Sequence, residues 1–305
     1  MSDLDDEANV YYMAGGDPVE EEFETERMIV DPIQGNQAYL DYWHSVGEAG
    51  QSGVLTGIPE LDAIVRGFRP GSINLIAGET SNGKTSLAVT LALSMAKSGV
   101  KVVFASLEVP FVELETKIIS NLSGLSFRDV EMAGKMDSKN YDEVYRHITM
   151  RGILPLATLD FSGMTPSQLE RAILNYERRT EIIFVDYIQL MGGDGGPRER
   201  EVSKLSRGLK DIGRKLKIPI IAVSQLRRID PRTEDHRPTL ERLRDSGQLE
   251  QDASIVLGVY WPHRYGEKEY SWGTAEVSIL KNRNGPCKAL DVPTDWECGR
   301  FWCEI

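Results

Sequence analysis

The stretch SINLIAGETSNGKTSLA, residues 72–88, decides the fold. It begins as an apolar strand, passes through the pattern G-x-x-x-x-G-K-[ST] at residues 78–85, and continues as an apolar helix that ends at Gly99. Glycines in such a loop let consecutive backbone N–H groups turn inward at a helix N-terminus, where phosphate oxygens bind. The stretch therefore predicts a phosphate-binding loop between a strand and a helix.

The side chains of this loop specify its ligand. We expect Lys84 to reach the β- and γ-phosphates of a nucleoside triphosphate, and Thr85 to place its hydroxyl on Mg²⁺. ATP, or another nucleoside triphosphate, and Mg²⁺ are therefore the predicted cofactors, and an ordinary glycine-rich turn is the alternative interpretation. The residues expected to contact the nucleotide are Gly78, Ser81, Asn82, Gly83, Lys84, Thr85 and Ser86.

Beyond the loop, short apolar segments alternate with amphipathic ones. The predicted strands include KVVFASLE (101–108), IIFVDYIQL (182–190) and IPIIAVSQL (218–226), and the predicted helices include 84–99, 167–179 and 200–217. Apolar strands separated by helices are typical of a parallel sheet covered on both faces. The segments 252–261, 274–281 and 288–294 add a strand and a hairpin at one edge. The sequence thus predicts an α/β fold with a mainly parallel central sheet and a C-terminal β-hairpin.

Polar residues end three of the predicted strands. Asp186 follows four apolar residues, Glu108 closes the segment 101–108, and Gln225 ends IIAVSQ. An open α/β sheet places its ligand at this edge, and a buried carboxylate without a partner is costly, so we expect Asp186 to hold the metal together with Thr85. Glu108 is the expected base or water-orienting residue, and Gln225 the expected γ-phosphate sensor. A helix-start charge and a strand cap are their alternative interpretations. With the loop, these residues predict a nucleoside triphosphatase.

The stretch ILKNRNGP, residues 279–286, places Lys281 and Arg283 beside a turn signal. Asn284-Gly285 between two extended segments is typical of a tight hairpin turn, because both residues accept a positive φ. Solubility is the simplest interpretation of two cations at this position.

Charge is distributed unevenly along the 305 residues. Residues 1–31 hold eleven acidic side chains against Arg27, so most of the net charge of −12 belongs to this segment. Such a composition predicts disorder. The nearly neutral remainder leaves nucleic-acid binding open, because that binding depends on local patches. We expect an acidic disordered tail over 1–35, a linker with a short helix over 36–53, and one nucleotide-binding domain over 54–305.

The cysteines and the absence of apolar runs bear on the compartment. Cys287, Cys298 and Cys303 are odd in number and lack metal-ligand spacing, which argues against a disulfide framework and a zinc site. The sequence shows no basic-then-apolar leader, and no apolar run approaches the roughly 18 residues of a membrane span. These features predict a cytoplasmic protein without a membrane partner.

Six motifs together resemble a known family. In chain order they are TGIPELDAIVRGFRPGSINLIAGETSNGKTSLA, SLEVP, FVDYIQLM, VSQLRR, RPTLERLRDSGQLEQDASIVLGVY and LKNRNGP. Over about residues 54–305 the chain is similar to the motor domain of the DnaB-type replicative helicases. The resemblance implies a RecA-like P-loop NTPase core, assembly as a homo-hexameric ring, and nucleotide hydrolysis coupled to movement along single-stranded DNA.

The resemblance also implies roles for single residues. Glu108 resembles the catalytic glutamate, Asp186 the Walker B aspartate and Gln225 the phosphate sensor. Lys281 and Arg283 resemble the cation pair that each subunit offers to its neighbour's nucleotide. An arginine supplied in this way is worth roughly 10³–10⁵ in rate. Under this interpretation, the solubility explanation holds only for a monomer.

The predicted DNA-binding residues lie in three loops. By resemblance, Arg244, Asp245, Ser246 and Gly247 form the loop that grips the DNA backbone inside the ring. The glycine- and proline-rich loops 192–200, with Arg198 and Arg200, and 227–238 leave the sheet at its ligand edge. We expect them to contact phosphates without distinguishing bases. For the helix 200–217, we favour a solvated face over a DNA-binding one.

Two departures from the family bear on partners. The helical N-terminal domain through which full-length members bind primase has no counterpart, and the phosphate loop reads ETSNGKT where the family more often has a proline and a methionine. The first departure puts primase binding in doubt and leaves a primase or a helicase loader as open partners. It also predicts a motor encoded by a phage or another mobile replicon in a bacterial host cell. A RecA-like ATPase for strand pairing or loading, and an ATP-controlled assembly scaffold, are the alternative functions.

Overall fold

A computed structural model describes residues 39–41, 43–44, 46–48, 51–135, 139–176, 179–192, 198–227, 233 and 235–302. For 198–199 and 244–246 it describes the backbone only. The chain divides into two units, Met1–Glu48 and Ala49–Ile305. In the first unit, the described residues between 39 and 48 are helical, within the predicted linker. None of the described helices is both long enough and apolar enough to cross a membrane.

The second unit contains eight α-helices and nine strands among its described residues. The helices are α1 (Pro59–Val65), α2 (Lys84–Lys97), α3 (Phe111–Ser123), α4 (Phe127–Met132), α5 (Tyr141–Ile153), α6 (Pro166–Asn175), α7 (Arg198–Leu216) and α8 (Gly247–Asp252). The strands are β1 (Ile73–Gly78), β2 (Val102–Ser106), β3 (Leu156–Asp160), β4 (Ile182–Asp186), β5 (Ile220–Gln225), β6 (Ala253–Tyr260), β7 (Thr274–Asn282), β8 (Ala289–Asp295) and β9 (Arg300–Phe301). Short 3₁₀ helices cover Ile188–Leu190, Leu240–Ser246 and Pro262–Tyr265.

All nine strands form one sheet, in the order β3-β2-β4-β5-β1-β6-β7-β8-β9. The six strands from β3 to β6 in this order pair in parallel, and β7, β8 and β9 continue the sheet in antiparallel pairs. The predicted α/β fold, with a mainly parallel sheet and a C-terminal hairpin at one edge, is confirmed. Because the parallel strands share one direction, their carboxyl ends meet at the same edge, and that edge positions the site.

The core lies on both faces of the sheet. Strands β1, β2 and β4 are buried along their whole length, which explains why their sequences are apolar without alternation. On one face, Leu87 and Leu91 of α2 belong to the same buried cluster as Phe104. On the other face, Leu209 of α7 belongs to a cluster with Val185. Each face is therefore covered by helices, as in other doubly covered parallel sheets.

The hairpin connection differs from the predicted tight turn. Neither Asn284 nor Gly285 has a positive φ. The last backbone hydrogen bond between the two strands runs from the Ile279 N–H to the Lys288 carbonyl (2.7 Å), so a wide loop follows it. The side-chain amide of Asn282 donates to the carbonyls of Ile64 and Pro286, both at 3.3 Å. These contacts hold the loop against α1, and tertiary packing has replaced the local turn preference.

Other elements also differ from the prediction. The segment 182–190 is a strand only as far as Asp186, because a 3₁₀ helix begins at Ile188. Strand β3 and helix α5 were not predicted. β3 lies at the sheet edge and is only partly buried, and α5 exposes apolar side chains, including Tyr145 and Ile153, so neither shows a clear pattern of burial.

Candidate active site

The phosphate loop connects the buried strand β1 to the start of α2. Ser81 and Gly83 have φ values of 64° and 86°, which turn the backbone towards the helix start at Lys84. A side chain at Gly83 is excluded twice, by its φ and because a Cβ there would lie 2.7 Å from the Trp296 ring. The loop thus has the strand–turn–helix geometry that aims backbone N–H groups at an anion.

Lys84 is partly buried beside this loop. Its Nζ donates to the backbone carbonyl of Glu79 at 2.9 Å. Burial lowers the pKa of Lys84, and the carboxylates of Asp186, Glu108 and Glu79 oppose that shift. A buried ammonium that donates to a loop carbonyl can transfer to a phosphate oxygen, where it meets a full opposite charge.

Asp186 ends β4 and is only 1% exposed. Neither of its carboxylate oxygens has a hydrogen-bond partner of good geometry among the described residues. Burial raises the pKa of Asp186 to about 6 and nearby Glu108 adds to the shift, whereas the Thr85 hydroxyl and Lys84 lower it. A buried, unpaired carboxylate beside a hydroxyl is a donor set that suits a hard cation such as Mg²⁺.

The described residues offer no complete metal cage. No group of three or more His, Cys, Asp or Glu side chains among them is arranged to hold a metal ion. Mg²⁺ commonly binds one or two carboxylates and completes its shell with water and substrate phosphates. Asp186 and Thr85 therefore fit a cation that arrives with a nucleotide.

A cleft of about 590 Å³ opens beside the loop. Its lining includes Lys84, Thr85 and Ser86 of the loop, the exposed Glu108 and Gln225. The Gln225 Nε2 donates to the Thr80 hydroxyl at 2.6 Å. Strands β2, β4 and β5 therefore bring the predicted base, metal ligand and phosphate sensor to the same edge as the loop.

Aromatic residues form one wall of the same cleft. Trp261 and Trp296 stack with ring centroids 4.3 Å apart, and Trp272 packs edge-on against Trp261. All three line the cleft, with Phe127 nearby. The buried Nε1 of Trp296 has no hydrogen-bond partner among the described residues. Sequence reasoning missed this wall, because the three tryptophans are spread along the chain and lie outside any motif.

The back of the phosphate loop is held by side chains from later in the chain. The Tyr265 hydroxyl accepts from the Asn82 amide at 3.2 Å and donates to the Glu79 carboxylate at 3.0 Å. Arg264 donates to the Ser81 carbonyl at 2.8 Å. The side chain of Asn82, predicted to contact the nucleotide, is therefore directed at Tyr265, and only its backbone is available to a phosphate.

Lys281 and Arg283 do not reach this cleft. The Arg283 N–H bonds to the Ser254 carbonyl at the start of β6, whereas Gly78 lies beside Val259 near the end of that strand. Five residues of strand separate the two positions, a distance of about 16 Å. The two cations therefore lie towards the opposite edge of the sheet from the phosphate loop.

Within their own chain the two cations meet helix α8. Lys281 Nζ donates to the Glu250 carbonyl at 2.5 Å, and the Arg283 guanidinium donates to the Gln251 carbonyl. Burial lowers the pKa of Lys281, and Arg283 adds to this shift. Cations at the last carbonyls of a helix are favourable, so this contact gives them a structural role in addition to the predicted one. Arg283 remains exposed.

The predicted DNA-binding residues are only partly described. Arg200 is exposed on the first turn of α7, and Gly247 begins α8. The side chains of Arg198, Arg244, Asp245 and Ser246 lie outside the described residues, as does most of the loop 192–200.

Two cations further along α7 have partners within the protein. Lys210 pairs with Asp252 at 2.6 Å and Lys215 with Glu170 at 2.7 Å. These two side chains are therefore engaged within the protein, and the solvated face of the helix 200–217 stays a prediction.

Comparison with known proteins finds one family repeatedly. The model of the DnaB-like helicase C-terminal domain matches residues 53–302. The replicative DNA helicase DnaB of Pasteurella multocida (strain Pm70) is 33% identical over 262 residues, which are 84% of this chain and 56% of that protein. The corresponding protein of Leifsonia xyli subsp. xyli (strain CTCB07) is 29% identical over 303 residues, which are 97% of this chain and 64% of that protein.

Solved structures give the same result. One of them, described as an ATPase domain, superposes with a TM-score of 0.82 at 28% identity, covering 87% of this chain and 97% of that one. A DnaB-like replicative helicase, described with its interactions with primase, superposes with a TM-score of 0.79 at 28% identity, covering 87% of this chain and 66% of that one.

Proposed function

This chain belongs to the DnaB-like helicase C-terminal domain family, and from that premise we propose that it is an ATP-dependent DNA helicase. In this proposal it moves along single-stranded DNA as a homo-hexameric ring and unwinds the duplex during replication. The chain spans little more than half the length of the Pasteurella relative, so the activity is proposed for these residues and is not taken over with the relative's name. One observation carries the proposal: the hydrolytic groups lie at one edge of the sheet, and the cations Lys281 and Arg283 lie towards the other.

The residues of the cleft have distinct proposed roles. Lys84, already buried among carboxylates, binds the β- and γ-phosphates, and the loop backbone from Gly78 to Ser86 cradles them. Glu108, exposed in the cleft, accepts the proton of the attacking water or orients that water. Gln225, now bonded to Thr80 of the loop, responds to the γ-phosphate.

Mg²⁺ is proposed to bind at Asp186 and Thr85. The orphaned, buried carboxylate supports this assignment, because only a cation or a proton relieves its burial. Bound there, Mg²⁺ would neutralise negative charge on the β- and γ-phosphates. Asp186 orients the ion and keeps its negative charge next to Lys84.

The aromatic wall is proposed to receive the nucleobase. Trp261 and Trp296 form a flat, apolar surface. This surface and Ser86 of the phosphate loop line the same cleft. Stacking tolerates every base, because every base has a π-face. We therefore propose that the protein accepts purine and pyrimidine triphosphates, with ATP as the abundant substrate.

A neighbouring subunit is proposed to complete each site. Lys281 and Arg283 lie about 16 Å along β6 from their own phosphate loop, too far to act on its nucleotide. In a closed ring with head-to-tail contacts, one edge of each subunit faces the opposite edge of the next. The exposed Arg283 is then available to the γ-phosphate held by the neighbour.

The remaining assignments concern DNA, partners and location. We propose that Arg200, Gly247 and the residues Arg198 and Arg244 to Ser246 contact the backbone of single-stranded DNA. A primase or a helicase loader is the proposed protein partner, supported by the similar helicase described with primase. The bacterial relatives support a cytoplasmic location in a bacterial cell, and a phage origin stays a prediction. The division into an acidic tail (1–35), a linker (36–53) and a motor domain (54–305) is consistent with the family match from residue 53.

The proposal is tested with a forked DNA duplex that carries one labelled strand, in the presence of ATP and Mg²⁺. We expect the wild-type protein to release the labelled strand, and Lys84→Ala to release none. Glu108→Gln should bind nucleotide without hydrolysing it. Strand exchange without unwinding would replace the helicase by a strand-pairing ATPase. Negligible hydrolysis that DNA does not stimulate would indicate an assembly scaffold.

A further inference from the structure

The phosphate loop has one acidic side chain, Glu79, and it is directed away from the cleft. One carboxylate oxygen of Glu79 accepts from the Tyr265 hydroxyl, and the other pairs with the Arg242 guanidinium. Both partners of this ion pair are largely buried, with side-chain exposures of 9% for Arg242 and 17% for Glu79. None of the roles proposed above uses this pair.

Every N–H donor of the Arg242 guanidinium has an acceptor. Apart from Glu79, all of them are backbone carbonyls: Arg227 receives two bonds, at 3.2 and 3.0 Å, and His236 and Arg237 receive one each, at 3.0 and 3.2 Å. The Arg227 N–H in turn donates to the Arg242 carbonyl at 3.1 Å. Arg242 therefore holds together several backbone positions of the segment that follows β5. Its positive charge is balanced by Glu79 of the phosphate loop.

The same segment continues into the elements proposed to contact DNA and the neighbouring subunit. Arg242 lies in the 3₁₀ helix Leu240–Ser246, which runs directly into α8 at Gly247. The last carbonyls of α8, those of Glu250 and Gln251, accept from Lys281 and Arg283. One continuous set of contacts thus extends from the phosphate loop across the sheet.

Nucleotide binding changes a contact of the Glu79 backbone. The Glu79 carbonyl accepts from Lys84 Nζ, and Lys84 must leave that carbonyl to reach a phosphate. A buried guanidinium that loses its carboxylate is strongly destabilised, so Arg242 has to follow any displacement of Glu79. The ion pair is therefore placed where a change at the phosphates becomes a change in the segment 227–247.

We propose that the Glu79–Arg242 ion pair couples nucleotide binding to DNA binding, by tying the phosphate loop to the segment that carries the DNA-contacting residues. Glu79 and Arg242 are positioning residues, because their side chains contact each other and not the ligands. The inference rests on the proposed function, because it requires a protein that binds both nucleotide and single-stranded DNA. Coupling is reciprocal, so each ligand changes the affinity for the other by the same factor.

The test measures that factor directly. The Kd for a fluorescent oligothymidylate is determined with and without a non-hydrolysable ATP analogue and Mg²⁺, and the Kd for the analogue with and without DNA. Coupling between two binding sites is typically about 5- to 150-fold. We expect Glu79→Gln and Arg242→Gln to reduce this coupling factor to within about twofold of one. The Kd for each ligand measured alone should change by fewer fold than the coupling factor changes.

A variant that keeps the charge separates coupling from simple destabilisation. Arg242→Lys leaves a cation beside Glu79 that can still donate to the backbone carbonyls of the segment, and we expect it to retain much of the wild-type factor. The matched control is Glu115→Gln, which breaks another largely buried glutamate–arginine pair, with Arg151, away from the phosphate loop. It is expected to lower the melting temperature and leave the factor unchanged.

The outcomes distinguish the inference from the proposed function. A wild-type protein that binds nucleotide but no DNA would overturn both. If Glu79→Gln and Arg242→Gln both kept the wild-type factor, the coupling role would be overturned and the helicase proposal would stand. The same would follow if Glu115→Gln lost as much of the factor as those two variants.

Discussion

At the scale of single residues, Asp186 gives the sharpest electrostatic prediction. Its pKa in the folded protein is about 6, raised from 3.8 by burial, so its charge destabilises the folded state in the absence of a cation. The cost is absent below pH 4, grows between pH 4 and 6, and is complete above pH 6. A shift of two pKa units corresponds to about 3 kcal/mol.

We therefore expect the stability of wild type, relative to Asp186→Asn, to fall as pH rises from 4 to 6. Urea unfolding at several pH values, in EDTA and without nucleotide, measures this difference. The asparagine amide of Asp186→Asn has a cost in stability that does not change with pH. It therefore does not affect the comparison, which concerns only how the difference in stability between the two proteins changes with pH. Parallel stability curves for the two proteins would contradict the shifted pKa.

The residues of the phosphate loop could be predicted because their spacing is local. One strand–loop–helix pattern located Lys84 and Thr85, and the strand ends located Glu108, Asp186 and Gln225. Asn284-Gly285 shows the limit of local information. Its turn preference is real, but the Asn282 side chain bonds to Ile64, which is more than 200 residues away in sequence, and this contact fixes another loop shape.

At the scale of secondary structure elements, β6 and the β8–β9 turn together build the aromatic wall. Trp261 follows β6 and Trp296 follows β8, and the sheet brings Trp296, stacked on Trp261, beside Gly83. No sequence pattern predicts this, since the contact depends on the whole order of the sheet. The same reasoning applies to β3 and α5, which lie at the margin of the core and lack an apolar pattern.

The wall predicts a specific effect on nucleotide affinity. Trp296→Ala should weaken the binding of ATP, GTP and CTP alike, by about tenfold or more, because stacking on one aromatic ring is worth roughly 1–3 kcal/mol. Inorganic tripolyphosphate, which has no base, should bind as well as before. Equilibrium binding of all four ligands measures the difference.

Two control variants accompany this measurement. Trp296→Phe keeps an aromatic face and should retain most of the affinity. Trp302→Ala removes a tryptophan that lines a different cavity, and it should leave nucleotide binding unchanged. A loss of tripolyphosphate affinity in Trp296→Ala equal to the loss for ATP would show that the ring supports the loop and not the base.

At the scale of the whole molecule, the proposed assembly determines where Lys281 and Arg283 act. The topology places Arg283 just after β7, at the start of β6, and the phosphate loop near the other end of that strand. The sequence indicated both groups but not their separation, because strand order and direction are properties of the complete sheet. Under the proposed function, a single chain therefore holds two half-sites.

Complementation between inactive chains tests this arrangement. Lys84→Ala and Arg283→Ala proteins should each be inactive, and their mixture should recover hydrolysis. In a randomly mixed ring about a quarter of the interfaces combine an intact loop with an intact Arg283.

Native mass spectrometry must confirm the mixed assemblies, and melting temperatures must show that Arg283→Ala keeps α8 folded. Recovery at these interfaces supports action between subunits. No recovery in confirmed mixed assemblies would leave Lys281 and Arg283 with their role at the end of α8.

The distance between the phosphate loop and Arg283 also has a kinetic consequence. If neither edge can serve its own nucleotide, hydrolysis per chain is not a fixed property of the polypeptide. It increases with concentration, steeply through the range in which rings form, and then levels off. Below that range, unassembled subunits hydrolyse little ATP. Under the proposed function, the encounter between subunits is thus the step that starts ATP hydrolysis.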